Sequence, residues 1–399
     1  MTNDDDNCVF VYAWLGGRYV PAGKLMQTRQ GYEFWYGNSF LENGYALDPI
    51  RLPLSEKIFF EPSLQGVLGV VGDALPDSWG RYLIKRENGA LNDIELLTID
   101  ASAQRMGGLF FSRELNSKPV ASSHDVEWMK QFSAWLCDHT LEFPVHTEYG
   151  SSAGGAKPKC LVKYQNKEWI AKFQPSNSAL NKPAIEHGTL ILAKSCGIPC
   201  PESRLIDLPN QQQAVLIERF DRNHDTPLHY LSAKTACEVI EDERGVVIND
   251  NRSYLILADR ISLFSRRPEE DKKDLFNRIA FNIFIGNHDD HVKNHGFIRS
   301  VDGHWSLSPA FDLLMGEGDR RDMAMSIGLE GNKASFSNLL SCVESFGLTR
   351  SEGVTLIRNM EAQLTRWENL LKEEAIDSRT ISDIKWVFEV PTDVSRLTG

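Results

Sequence analysis

An acid and an amide stand five residues apart in the segment Gly286-Asn287-His288-Asp289-Asp290-His291-Val292-Lys293-Asn294, just beyond an apolar helical run. That pairing suits phosphoryl transfer. In such a loop the acid accepts the proton of an attacking hydroxyl, and the amide reaches back to a magnesium ion that neutralises the transferring phosphates. Asp289 and Asn294 fit the two roles. A second magnesium carboxylate should follow a short hairpin, and Leu307-Ser308-Pro309-Ala310-Phe311-Asp312-Leu313 offers Asp312, where an aromatic-acid pair ends a strand-like run. Asp and Asn are also ordinary turn residues, so either segment alone reads equally well as a plain polar loop. The order along the chain favours the chemical reading: a Gly-rich loop, a strand lysine, a helix glutamate and a hinge-like strand all precede these acids.

Those elements are legible in the pattern. The Gly/Ser run from Gly150 to Ala156 opens a unit in which Cys160–Tyr164 and Glu168–Phe173 alternate as a hairpin around Gln165-Asn166-Lys167. Lys172 lies on its second strand, where a solvated lysine is the ordinary alternative. Asn181 and Pro183 open a helix that closes at Gly197. Glu186 sits in its first turn on the face of Leu190 and Ala193; it either complements the helix dipole or turns inward to meet a cation such as Lys172. Val215-Leu216-Ile217 runs into Glu218-Arg219-Phe220 as a hinge that would meet adenine, with Phe220 as an apolar wall. From about Asn223 the period becomes helical, with Leu275, Ile279 and Ile283 stacked before the Asp289 loop. Thr349 and Glu352 form a capping box ahead of an apolar stripe from Leu356 to Leu371 that reads as core.

The chain has 399 residues, 42% hydrophobic and 25% charged, enough for a large core and two or three subdomains. Short β-like runs at Val9–Tyr12, Tyr32–Tyr36 and Leu109–Phe111, with a helical piece near Ser78 to Arg86, indicate a small, mostly stranded subdomain. The boundaries fall at 1–120, 121–222 and 223–399. The acidic start and the lack of an eighteen-residue apolar run favour a cytoplasmic protein without a membrane segment. Seven scattered cysteines suit a reducing compartment, and Cys196 and Cys200 lack the companions of a zinc site. A net charge of −12 argues against unaided DNA reading.

Six motifs then fall in one order: Leu75-Pro76-Asp77-Ser78-Trp79-Gly80-Arg81, Arg105-Met106-Gly107-Gly108, the Ser152–Lys159 loop, Glu218-Arg219-Phe220-Asp221-Arg222, the Asp289 loop, and Ser308-Pro309-Ala310-Phe311-Asp312. In these the chain resembles the HipA family of toxin kinases from bacterial type II toxin-antitoxin systems, over most of its length. The resemblance implies an α+β, two-lobed protein-kinase-like fold with a mainly β N-terminal subdomain and an all-helical C-terminal lobe. It implies ATP and Mg²⁺ as cofactors and serine/threonine kinase activity. Asp289 would be the catalytic base, with Lys172 and its anchor Glu186; Ser152, Ala153, Gly154, Gly155, Lys172, Glu218, Phe220, His291 and Phe311 would surround the nucleotide, and Asn294 and Asp312 would hold the metal. Ser152, or its neighbour Ser151, matches a serine that becomes autophosphorylated. The implied partners are a HipB-like helix-turn-helix antitoxin, operator DNA mainly through that antitoxin, and a protein substrate, an aminoacyl-tRNA synthetase. Departures lie at His288 and Asp290 around the base, and at Phe311, where a Tyr is often found.

Three other readings share parts of this pattern. The string His288-Asp289-Asp290-His291 also suits a metal-dependent phosphohydrolase, which needs further His ligands elsewhere. A small-molecule kinase shares the base, the amide and the metal acid. A kinase fold that only docks an antitoxin on DNA would leave those positions without a chemical role.

Overall fold

The computed structural model describes residues 7–100, 102–120, 124–137, 157–174, 178–209, 212–241, 246–316, 322–390 and 392–397. The chain opens with β1 (Cys8–Leu15), β2 (Arg18–Gln27), β3 (Gly31–Tyr36), α1 (Asn38–Asn43), β4 (Phe59–Pro62), α2 (Gly69–Gly72), α3 (Ser78–Asn88), α4 (Asp93–Thr98) and β5 (Leu109–Ser112). The five strands form an antiparallel sheet in the order β4-β3-β2-β1-β5. Alternation buries Val9, Val11, Leu25 and Phe34 beneath it. Asp77 caps α3 by accepting from the Gly80 N–H at 2.8 Å.

After α5 (Val126–Cys137), where Trp128, Phe132 and Trp135 stack successively as their helical spacing predicts, come β6 (Lys159–Tyr164) and β7 (Lys167–Phe173). These pair antiparallel around a two-residue turn, Gln165 (φ 50°) and Asn166 (φ 61°), the left-handed geometry that matches strand twist. On β7 Trp169, Ala171 and Phe173 are buried, whereas Glu168, Ile170 and Lys172 are half-buried on the other face. Helix α6 (Lys182–Ser195) starts at Asn181, whose side chain accepts from the Ala184 N–H, and ends ahead of Gly197 at φ 78°. The antiparallel pair β8 (Ser203–Leu208) and β9 (Gln212–Glu218) follows.

Between 222 and 249 the chain is not helical as its period suggested. It forms β10 (Arg222–Asn223), β11 (Thr226–Pro227), β12 (His229–Ser232), α7 (Ala233–Ala236), β13 (Ile240–Glu241) and β14 (Val247–Asn249). These strands, two to four residues long, are too short to show an alternation. Helices dominate from Tyr254 onward: α8 (Tyr254–Phe264), α9 (Pro268–Ile285), and, after the short strands β15 (Gly296–Arg299) and β16 (Trp305–Leu307), α10 (Phe336–Leu340), α11 (Arg350–Leu364), α12 (Trp367–Glu373), α13 (Ser378–Ile384) and α14 (Trp386–Glu389). The C-terminal part is thus mainly rather than wholly helical. The capping box of Thr349 and Glu352 is present. The stripe it introduces is divided between α11 and α12, with the Thr365 hydroxyl bonded to the Ala362 carbonyl at 2.7 Å.

Two compact units result. The first comprises 1–172, 219–250 and 298–303; the second comprises 173–218, 251–297 and 304–399. Among the described residues no helix is long and apolar enough to cross a membrane.

Candidate active site

Helix α9 positions the acid-amide loop. Its buried stripe of Leu275, Ile279 and Ile283 fixes it in the second unit, and Gly286, at φ 64°, ends it in the left-handed conformation that glycine tolerates. The chain then turns through Asp289 to the short helical turn Val292–Asn294. Asp289 is exposed, whereas Asn294 is buried. The Asn294 amide points back across the loop, with Nδ2 3.5 Å from the Asp289 carbonyl oxygen, and its backbone N–H donates to the His291 carbonyl at 2.8 Å. Half-buried His291 has an Nδ1 atom shielded from solvent and, among the described residues, without a hydrogen-bond partner.

The segment carrying Asp312 is tied to both ends of this loop. The Ser308 N–H donates to the Gly296 carbonyl at 2.8 Å, just after the loop, and the Gly316 N–H donates to the Ile285 carbonyl at 2.9 Å, just before it. Asp312 lies midway between these ties with φ 57°, a left-handed conformation uncommon for a residue with a side chain and concentrated at functional sites. Phe311 beside it is half-buried. A further tie comes from 322–324: the Ala324 N–H donates to the His288 carbonyl at 2.9 Å, and His288 Nδ1 lies 3.0 Å from the Asp322 carbonyl oxygen.

Asp290, adjacent to the exposed acid, is fully engaged in the interior. Its Oδ2 accepts from Tyr254 Oη at 2.6 Å, from Asn282 Nδ2 at 2.7 Å and lies 2.9 Å from His295 Nε2. Burial disfavours its charge, but His295 and these donors prevail and hold the carboxyl below its usual range. The phosphohydrolase reading needs His288 and Asp290 as metal ligands, and both already have protein partners. Among the described residues there is no group of three or more His, Cys, Asp or Glu arranged to hold a metal. Magnesium asks for less, since it is commonly held by one or two protein oxygens together with phosphates and water. Asn294 and Asp312 are of the right type for that.

The other residues singled out in the sequence lie as follows. Glu186 is buried in α6, one turn further from the helix start than expected, because no acidic residue occupies the first turn. Glu218 ends β9, its N–H bonded to the Glu202 carbonyl at 2.8 Å; both it and Glu186 belong to the second unit. Lys172 lies in the first unit, opposite Lys159 in the β6–β7 register. Two lysines facing each other would repel, but Lys159 is neutralised by Asp77 at 2.7 Å. Phe220, half-buried in the first unit, has its ring 6.3 Å from that of Tyr230. Ser151, Ser152, Ala153, Gly154 and Gly155 lie outside the described residues.

Several of the shared motifs have structural work. Buried Arg219 and half-buried Arg222 both bond Asp221 at 2.8 Å, and between them they donate to the carbonyls of Ala103, Gln104, Arg105 and Gly107. Asp221 in turn accepts from the Gly107 N–H at 2.7 Å. Burial would raise the Asp221 carboxyl, but the two guanidiniums bring it down to about 2. Arg105 donates to the carbonyls of Ala74, Leu96 and Leu97. The sequence reading missed the Asp290 network. Its one visible signal was Asn282, a polar residue inside the apolar run from Ile279 to Ile285.

Comparison with known proteins shows the family. The model of the HipA-like C-terminal domain matches residues 151–367, more than half of the chain, and that of the HipA N-terminal domain matches residues 11–109. The chain belongs to the HipA family. Among HipA relatives, the serine/threonine-protein kinase toxin HipA of Shewanella oneidensis is 25% identical over 231 residues, covering 50% of this chain and 52% of its own length. A Haemophilus influenzae protein whose name assigns it provisionally to the kinases is 28% identical over 185 residues, covering 42% of this chain and 53% of its own. The chain thus spans about half the length of these curated relatives. In structure it is similar to HipA from the Shewanella oneidensis complex of HipA, HipB and operator DNA, with a TM-score of 0.72, 20% identity and coverage of 96% of this chain and 95% of that one. The fold is accordingly the α+β, protein-kinase-like fold of HipA.

Proposed function

We propose that this HipA-family chain is an ATP- and Mg²⁺-dependent serine/threonine protein kinase acting as the toxin of a toxin-antitoxin pair. The observation that carries the reading is the double tie of the Asp312 segment to both ends of the Asp289–Asn294 loop. In this reading Asp289 takes the substrate hydroxyl's proton, Asn294 and Asp312 hold the magnesium that neutralises phosphate charge, and His291 meets the γ-phosphate. Lys172, with Glu186 as its carboxylate, balances the α/β-phosphates; Glu218, Phe220 and Phe311 line the adenine side. The loop with Ser152, Ala153, Gly154 and Gly155 covers the phosphates. Phosphorylation of Ser152, or of Ser151, adds about −1.5 to −2 charges beside those phosphates and disfavours the closed loop, a form of self-inhibition.

The partner we propose is a HipB-like helix-turn-helix antitoxin that carries the pair to operator DNA, and the substrate a translation-related protein, an aminoacyl-tRNA synthetase. The Shewanella HipA complex, which contains HipB and operator DNA, supports that partner class. The test is incubation of the chain with labelled ATP, Mg²⁺ and cell extract, beside Asp289→Asn, with labelled bands identified by mass. Label in the parent and its loss in the variant supports the reading; equal labelling by both removes Asp289 from its role. A Ser151→Ala, Ser152→Ala double variant that still labels itself would remove the self-modification.

A further inference from the structure

The buried carboxylate of Asp290 occupies a special place in the loop. It is the covalent neighbour of Asp289, and its partner His295 is the covalent neighbour of Asn294. One oxygen, Oδ2, therefore closes the loop across its base through His295 and anchors it to two helices, α8 through Tyr254 and α9 through Asn282. All four residues are at most 2% exposed, so these bonds form out of water, where an unmade partner is expensive. We propose that Asp290 is a positioning residue with two separable arms: the Tyr254 and Asn282 arm sets the backbone that aims Asp289, and the His295 arm sets the backbone that aims the Asn294 amide at the metal.

The inference rests on the roles assigned to Asp289 and Asn294 above, and it goes further by dividing their placement between two sets of donors. An error near 1 Å in the position of a reacting group lowers rates about a hundredfold, so even partial loss of an arm is readable. The arms carry different groups and so have different signatures. Tyr254→Phe removes one hydroxyl and leaves the ring; kcat should fall about tenfold with the magnesium half-saturation point unchanged. His295→Phe removes the donor next to Asn294; the magnesium half-saturation point should rise about tenfold, with kcat at saturating magnesium within about threefold of the parent. His295→Gln keeps an N–H donor and should recover part of that shift. A purely structural role for Asp290 would lower the melting temperature and the active fraction in both variants without separating kcat from the magnesium requirement.

Hydrogen exchange of the backbone amides supplies a readout independent of activity. Faster exchange confined to 288–290 in Tyr254→Phe and to 293–295 in His295→Phe supports the two-arm account. Equal acceleration across the whole loop in both variants, no acceleration in either, or identical kinetic shifts would overturn it. If His295→Phe does not fold, His295→Gln carries the same comparison with a smaller shift. If the parent itself transfers no phosphate with Mg²⁺ and ATP, the kinase reading fails, and the exchange pattern still decides whether the arms act separately.

Discussion

At the scale of single residues, the neighbours Asp289 and Asp290 have opposite fates: the first is exposed and the second fully buried with three partners. Spacing to Asn294 singled out the first, because a catalytic base and a metal-holding amide would have to keep a fixed separation. No local pattern identified the second, since its partners come from α8, α9 and the residue after the loop. Asp289→Asn should lower phosphate transfer about 10²- to 10⁴-fold, the usual worth of a general base, with an unchanged thermal melt. Asp312 permits a sharper separation of stability from activity. Its φ of 57° suits glycine, so Asp312→Gly should leave unfolding free energy within about 1 kcal/mol of the parent or raise it, while activity at ordinary magnesium concentration is lost. Chemical denaturation beside a transfer assay checks both halves.

At the scale of elements, the sequence indicated the β6–β7 hairpin, α6 and α9 because each has a strong period and a distinct terminus. It did not reveal the strands between 222 and 249, which are too short to show a pattern of their own and begin at Arg222, a residue held by partners far along the chain. The knot of Arg219, Asp221 and Arg222 shows why. Its guanidiniums satisfy carbonyls from 103 to 107, so the Glu218–Arg222 and Arg105–Gly108 motifs make sense only together. Asp221→Ala leaves two buried guanidiniums short of a carboxylate and should destabilise the chain by about 3–5 kcal/mol in denaturant. The knot also sets an acid limit. A carboxyl lowered to about 2 adds stability that is complete above its unfolded value near 4 and is lost as pH falls through the folded value. Unfolding curves between pH 5 and pH 2 should therefore steepen toward acid, and the Asp221 variant should lack that component. Gly107 lies at φ 82°, and an added Cβ would come within 3.0 Å of the Tyr230 Cβ, so Gly107→Ala should cost about 1–3 kcal/mol.

At the scale of the whole molecule, the −12 charge was readable at once and limits what the chain does alone. Phosphate neutralisation dominates DNA affinity, so the isolated chain should not retard operator-length DNA at about 0.15 M salt, whereas its complex with a basic helix-turn-helix partner should. A mobility-shift series over salt checks this; retardation by the chain alone would assign DNA contacts to it directly. The family was legible from six ordered motifs. The division of labour among them was not, because half of them serve the interior and the sequence alone does not distinguish a buried arginine from a reactive one.

The first unit draws on three stretches of chain, the last of them 298–303, and its internal bonds reach from Asp73 to Ser232 and from Leu47 to His229. During synthesis on the ribosome, its N-terminal sheet must therefore wait for segments made long afterwards, and loop-closure entropy makes such distant contacts slow to form. The Asp289–Asn294 loop leaves the ribosome before the last of those segments does. A nascent chain that has just released this loop is thus still unfinished in the unit that holds Lys172.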